Sequence, residues 1–286
     1  MARLDQELVT RGLARSRSHA AQLIGAGRVS VQGSVTVKAS SPVGAGDELQ
    51  VEGRGEDFVS RAGTKLEGAL RRFSSVDPTG KRCLDAGAST GGFTDVLLRR
   101  GAREVVAVDV GHGQLVQELR TDRRVHVFEG LNVRHLRPGD IGGSVDLTVA
   151  DLSFISLRLV VPALAGATRP GGDLLLMIKP QFEVGRSGLN RLGVVTAPEA
   201  RRRAVAGVLR RALELGTEIG GVAQSQLPGQ DGNLEYFVWI KMPSTARVPR
   251  IEPEVDPMVE QALEESALFP RPRRPSEPTA TTELHE

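Results

Sequence analysis

Beyond Lys81 the chain alternates short apolar runs with amphipathic stretches. The runs predict strands over 82–85, 104–109, 124–129, 145–150, 173–178 and 218–224. Helices fill the intervals. Phe93, Val96, Leu97 and Leu98 recur at helical spacing after the first strand, and Thr196 is expected to cap a helix through Leu215 with Pro198 in its first turn. This alternation builds a mostly parallel sheet with helices on both faces, so the expected class is α/β of Rossmann type. A last β-rich run, Leu234 to Ile240, follows a tight turn at Pro228 to Asn233. Set antiparallel, it begins on the rim where the parallel strands end.

Two segments break the rhythm. Near the start, Leu4, Leu8 and Leu13 form one face of a short helix that Gly12 interrupts. Ser16 or Ser18 caps a second helix, with Ala20, Ala21, Leu23 and Ile24 inward and Gly25 and Gly27 at its end. Short strands around a glycine turn follow up to Val51. Residues 1–57 thus read as a small α+β module, 58–62 as a linker and 63–242 as the main domain, whose first helix opens at Ser60 to Leu66. In 243–286 eight of the chain's 16 prolines meet few apolar residues. That segment is expected to be a disordered acidic tail in which Pro257 to Leu268 can form a transient helix. Arg186 to Val195 is expected to be a mobile polar flap.

Composition adds limits. The 286 residues are 40% apolar and 25% charged, as in ordinary globular proteins. No window approaches the ~18 consecutive apolar residues of a membrane span, and the first residues lack the apolar core of a signal peptide. Cys83, the single cysteine, rules out an internal disulfide and reads as core. A cytoplasmic monomer with no membrane partner is the expectation. Charge is uneven: 243–286 hold five Arg against nine Asp and Glu, while 1–40 hold six Lys and Arg against two acids. Arg3, Arg11, Arg15, Arg17, His19 and Arg28 therefore mark a surface suited to phosphates.

Chemistry gathers where strands end. Asp85 closes the first strand, and Gly87-Ala88-Ser89-Thr90-Gly91-Gly92 turns into the next helix. Such a turn brings backbone N–H groups to a ligand. It departs from the dinucleotide pattern G-x-G-x-x-G, which favours another adenosine-containing cofactor. Asp109, 24 residues after Asp85, ends the second strand where an acid commonly binds ribose hydroxyls. Glu129 to Asn132 end the third, with Asn132 flanking an adenine. Asp151 and Lys179 end two further apolar strands, and Glu235 opens the last one. Lys65, on position alone, reads as a solvated lysine.

Two resemblances sharpen this. The string R-L-D-x-x-L-V-x-R-G-L-A-x-S-R-x-x-A-x-x-L-I-x-x-G-x-V-x-V-x-G resembles the αL-motif RNA-binding module of a small-subunit ribosomal protein, pseudouridine synthases and tyrosyl-tRNA synthetases. It implies binding of structured RNA. Over about 3–242 the chain resembles the TlyA-type ribosomal RNA methyltransferases, also named haemolysins, with an FtsJ/RrmJ-like catalytic domain. The strings are S-R-A-G-T-K-L, D-A-G-A-S-T-G-G-F-T-D, V-A-V-D-V-G-H-G-Q-L, D-L-S-F-I-S-L, I-K-P-Q-F-E and G-N-L-E-Y-F. The resemblance implies a class I methyltransferase fold, S-adenosylmethionine as donor, no metal, and 2′-O-methylation of cytidines in 16S and 23S ribosomal RNA. It carries a Lys-Asp-Lys-Glu tetrad onto Lys65, Asp151, Lys179 and Glu235. A lysine beside a second lysine has its ammonium form disfavoured, which suits Lys179 as a base. The donor's methionine portion then falls to Asp85 and the glycine turn, its ribose to Asp109. Two alternatives remain: a membrane-active haemolysin, and a non-catalytic RNA-binding protein with a vestigial cofactor fold.

Overall fold

The computed structural model describes residues 2–14, 16–52, 58–229, 231–244 and 255–268. The chain divides into two compact units, Met1–Phe58 and Val59–Glu286.

In the first unit β1 (Ala2–Arg3) leads into α1 (Leu4–Thr10), and α2 (Arg17–Gly25) follows. Ser16 caps α2 by accepting from the His19 N–H at 3.1 Å. Gly12 takes a left-handed φ of 65°, which ends the first helix at the expected place. Strands β2 (Val29–Val31), β3 (Ser34–Val35), β4 (Pro42–Val43) and β5 (Leu49–Val51) complete the unit. β4 pairs with β1, and the other three form a sheet in the order β3-β2-β5. Leu4, Leu8, Ala20, Leu23, Ile24, Val29 and Val43 form its core.

The second unit opens with α3 (Arg61–Arg72). That helix begins inside the expected 58–62 linker, because Ser60 already holds the extended N-cap conformation. Then come β6 (Arg82–Ala86), α4 (Gly92–Arg99), β7 (Glu104–Asp109), α5 (Gln117–Arg120), β8 (Val125–Glu129) and β9 (Val145–Ala150). They are followed by α6 (Leu157–Ala167), β10 (Thr168–Ile178), α7 (Pro180–Glu183), α8 (Pro198–Leu213), β11 (Glu218–Gln224), β12 (Tyr236–Lys241) and α9 (Val255–Leu268). One seven-stranded sheet runs β11-β12-β10-β9-β6-β7-β8. Only β12 opposes its neighbours, pairing antiparallel with both β10 and β11. This is the mostly parallel α/β architecture that the apolar periodicity implies. Leu84, Val106, Val149, Leu175 and Leu176 lie in the central strands with no measurable exposure, consistent with helices on both faces.

Three expectations change. Ala197, not Thr196, is the N-cap of α8, with Pro198 as its first residue. The 186–195 connection is tied rather than free. Asn233 accepts from the Val195 N–H at 2.9 Å and donates to the Gly193 carbonyl at 3.0 Å. Finally, residues 255–268 form a packed helix where only a transient one is expected over 257–268. Val255, Val259 and Ala262 bury one face in the main core, and Arg202 pairs with Glu260 at 2.5 Å. Apolar burial outweighs the surrounding proline-rich composition there. The rest of the expected tail, 245–254 and 269–286, lies outside the described residues.

Candidate active site

Parallel sheets present ligands at the carboxyl ends of their strands. Here the ladder ends together: Ala86 pairs with Val108 and Ala150, and Ala150 with Leu176. The next residues out are the glycine turn, Asp109 and Asp151, with Lys179 one step beyond Ile178. Ile178 also pairs with Tyr236. The antiparallel β12 thus starts on this edge, and Glu235 stands one step before it.

The four tetrad candidates form two ion pairs. Lys179 Nζ lies 2.7 Å from Asp151 Oδ1 and donates to Ser153 Oγ at 2.9 Å. The Asp151 contact is close but off the hydrogen-bonding direction, an ion pair without a hydrogen bond. Lys65 Nζ donates to Glu235 Oε2 at 2.5 Å, with side-chain exposures of 10% and 3%. Lys65 is therefore buried, contrary to what its position in α3 suggests. The turn before Glu235 closes tightly over it: a Cβ on Gly229 would stand 2.6 Å from Glu235 Oε1.

Two clefts flank Ala88 and Ser89. One, of about 160 Å³, is lined by Ser60, Ala62, the 87–93 turn, Asp151, Ser153 and Lys179. The other is lined by Asp109, Gly111, Gln114, Val127, Phe128 and Glu129. A larger depression of about 500 Å³, between Arg158, Leu159 and Arg211, holds none of the tetrad. Gly87 and Gly91 have φ of 87° and 99°. A Cβ on Gly87 would also strike the Asp151 carbonyl at 2.9 Å, so the turn fits only glycine there.

Asp109 is oriented by the Ser89 and Gly111 N–H groups at 2.8 and 2.7 Å. Asp85 is fully buried under the turn. The Thr94 hydroxyl donates to its Oδ2 at 2.7 Å, while Oδ1 has no partner. Burial, helped by the charges of Asp151 and Asp109, pushes its pKa up to about 7, against the Thr94 hydrogen bond. Asn132 does not line either cleft; its side chain accepts from the Arg134 N–H at 3.0 Å and caps a short helical turn. Glu129, three residues earlier, lines the second cleft instead.

Sequence reasoning missed Ser153, Gln114 and Phe154. Phe154 is 92% exposed with φ of 64°, and its ring stands 5.3 Å from that of Phe182. A bulky residue in the left-handed region costs energy. The signal available was its place in D-L-S-F, three residues past Asp151.

The basic residues of the first unit divide. Arg3 and Arg17 both reach Asp5, at 2.9 and 3.0 Å, and stay about half exposed. Their hydrogen bonds hold the Asp5 carboxyl at about 2. Arg11 is spent internally, on the Asp47, Gly44 and Ala45 carbonyls at 2.5, 2.8 and 3.1 Å and on Glu7 at 2.7 Å. Arg28 donates to the Glu52 carbonyl at 2.6 Å, and His19 is half-buried at the start of α2. Arg15 lies outside the described residues.

Comparison with known proteins gives this geometry a family. Residues 58–242 match the FtsJ-like methyltransferase family, and residues 2–49 match the S4 domain. The chain is 54% identical over 241 residues to the 16S/23S rRNA (cytidine-2′-O)-methyltransferase TlyA of Mycobacterium tuberculosis, covering 84% of this chain and 90% of that protein. The chain belongs to the TlyA group of FtsJ-like methyltransferases. Hemolysin A of Brachyspira hyodysenteriae is 35% identical, over 82% of this chain and 98% of its own length. A solved structure of a hemolysin-named protein from Streptococcus thermophilus superposes with a TM-score of 0.69 at 35% identity, covering 93% of this chain and 97% of that one. The methyltransferase fold implies S-adenosylmethionine as methyl donor. No helix among the described residues is long and apolar enough to cross a membrane.

Proposed function

We propose that this TlyA-group enzyme transfers a methyl group from S-adenosylmethionine to the ribose 2′-hydroxyl of cytidines in 16S or 23S ribosomal RNA, or both. The observation that carries the reading is the Lys179–Asp151 pair on the wall of the cleft beside the glycine turn. The relative from Mycobacterium tuberculosis, named for this reaction, supports it.

The residues fit the donor. Its ammonium is a natural partner for the unsatisfied, buried Asp85 Oδ1. The 87–92 turn allows close approach of its backbone, and Asp109, on the wall of the second cleft, suits ribose hydroxyls. Gln114, Phe128 and Glu129 surround the space next to it. When bound, S-adenosylmethionine supplies an electrophilic sulfonium methyl.

Lys179 Nζ, once its own proton has left to solvent, would take the proton from the 2′-hydroxyl as that oxygen gains the methyl and the donor's carbon–sulfur bond breaks to leave a neutral thioether. General-base assistance of this kind contributes about 10²–10⁴ in rate. Asp151 and Ser153 hold Lys179 in place and receive the ammonium that results. The tetrad of the resemblance gives the Lys65 ammonium, held by Glu235 behind the cleft, the part of supporting the developing negative charge on oxygen. Holding the hydroxyl in line with the methyl supplies much of the rest. Phe154, next in the chain to the Ser153 that holds Lys179, offers an exposed ring on which an unstacked base can lie. The S4 unit, through Arg3 and Arg17, grips folded RNA.

The test is tritiated-methyl transfer to purified 30S and 50S subunits, followed by mapping of the modified nucleotide. The reading expects label on a cytidine ribose with the wild type and none with Lys179→Ala. Label on a base, or equal label with Lys179→Ala, would sink it.

A further inference from the structure

Glu183 is a buried acid that the chemistry above leaves unused. It ends α7, four residues after Lys179, and its side chain is 1% exposed. One carboxylate oxygen accepts from the Leu157 N–H at 2.6 Å. The other accepts from Ser156 Oγ at 2.6 Å and from Arg158 Nε at 3.0 Å. Arg158 also donates to the Glu183 carbonyl at 3.1 Å. All these donors stand at the start of α6, where the loop leaving β9 ends.

That loop runs from Asp151 to Ser156 and carries Ser153 and Phe154. Its near end is held by Lys179, through Asp151 at 2.7 Å and Ser153 at 2.9 Å. Its middle meets α7 through the Phe154 and Phe182 rings, 5.3 Å apart. Its far end is held by Glu183. The β9–β10 ladder stops at Ala150 and Leu176, and beyond it these side chains join the loop to the lysine segment.

We propose that Glu183 is a positioning residue for methyl transfer. By anchoring the far end of the 151–156 loop it fixes where Ser153 and Phe154 stand relative to Lys179, while Asp151 is held at the near end by its own N–H bond to the Ala86 carbonyl at 3.2 Å. This rests on the reading of Lys179 as the base. A bland role for Glu183, as a charge at the N-terminus of α6, would contribute to stability alone. Positioning differs in its consequence, because a displacement of about 1 Å near reacting groups can cost about 10²-fold in rate.

The experiment uses the full chain with Glu183→Gln, Ser156→Ala and the double variant. For each, the number of S-adenosylmethionine sites and their Kd are measured by calorimetry, and kcat and KM on the ribosomal substrate by methyl transfer. The expected result is a full complement of sites with Kd within about twofold of wild type, and kcat at least about tenfold lower in Glu183→Gln. Ser156→Ala is expected to lower kcat less, and the double variant to be no worse than Glu183→Gln, since both cut one connection. Should Glu183→Gln fail to fold, the kcat and Kd of Ser156→Ala decide. Unchanged kcat in the folded variants, or activity lost only in proportion to lost donor sites, overturns the role of Glu183. An inactive wild type would instead overturn the reading of Lys179 on which it rests.

Discussion

Lys65 and Glu235 are 170 positions apart in the chain and meet at 2.5 Å, both almost sealed from water. Removing one partner of such a pair strands the other as a buried charge, which typically costs about 3–5 kcal/mol. Lys65→Met should therefore lower stability by that order. The double variant Lys65→Met/Glu235→Leu should recover most of it while remaining without methyl transfer. Urea denaturation with a parallel activity assay checks both halves. A double variant that regains activity would remove the pair from the chemistry.

Lys179 differs because its pair lies on the cleft wall. Lys179→Ala and Lys179→Arg should both reduce kcat by at least about 10²-fold. Arginine keeps the charge toward Asp151 but cannot act as a base. Donor affinity should change little in either. Substantial activity in the arginine variant would show that Lys179 serves by charge alone.

The strand-end residues were legible because a lysine or carboxylate closing a mostly apolar run is conspicuous, and Asp85, Asp109, Asp151 and Lys179 all stand so. Lys65 was not, apart from the resemblance: nothing local in α3 says that a carboxylate from β12's entry will bury it. Arg11 misled for the same reason, since its carbonyl partners at 44, 45 and 47 come together only in the fold. In α9 the Val255, Val259 and Ala262 stripe was present, but the surrounding prolines and acids outweighed it.

Asp85 makes the apo protein pH-dependent. Its folded pKa is raised to about 7 by burial, so the folded state keeps a proton that an unfolded chain releases near pH 4. The unfolded state then binds fewer protons between about pH 4 and 7, and stability falls as pH rises through that window. Asp85→Asn should flatten this part of the profile. Donor binding at pH 6 should release a fraction of a proton approaching one per site, and by pH 8.5 the release should give way to uptake by the donor's own amine. Calorimetry in buffers of different ionisation enthalpy measures the release. A binding enthalpy independent of buffer at pH 6 would count against Asp85 as the ammonium's partner.

Arg11 and Arg17 should separate structure from RNA affinity. Arg17 is exposed and shares Asp5 with Arg3, so Arg17→Ala should weaken RNA binding and reduce the salt slope by about 1. Arg11→Ala should leave the salt slope alone and lower the melting temperature, because the Gly44, Ala45 and Asp47 carbonyls lose their donor. Filter binding across a salt series, with thermal melts of both variants, distinguishes the two. A reversed pattern would move the RNA-facing edge to the other side of the unit.

Phe154 holds a strained backbone for a side chain whose one ring contact among the described residues is with Phe182. Its ring is 92% exposed, and φ is 64°. Left-handed strain at such a residue costs about 1–3 kcal/mol. Phe154→Gly relieves it and adds back about 0.5–1 kcal/mol of unfolded-chain entropy. The variant should therefore melt at or slightly above the wild-type temperature. Its kcat/KM on RNA should still fall about tenfold or more, since a base stacked on an aromatic side chain is worth about 1–3 kcal/mol. Phe154→Tyr should keep most of that activity, and donor affinity should be the same in all three proteins. A glycine variant that is destabilised but fully active would make the ring a packing group for Phe182. One that is stable and slow only on RNA leaves base docking as the reason the strain is kept.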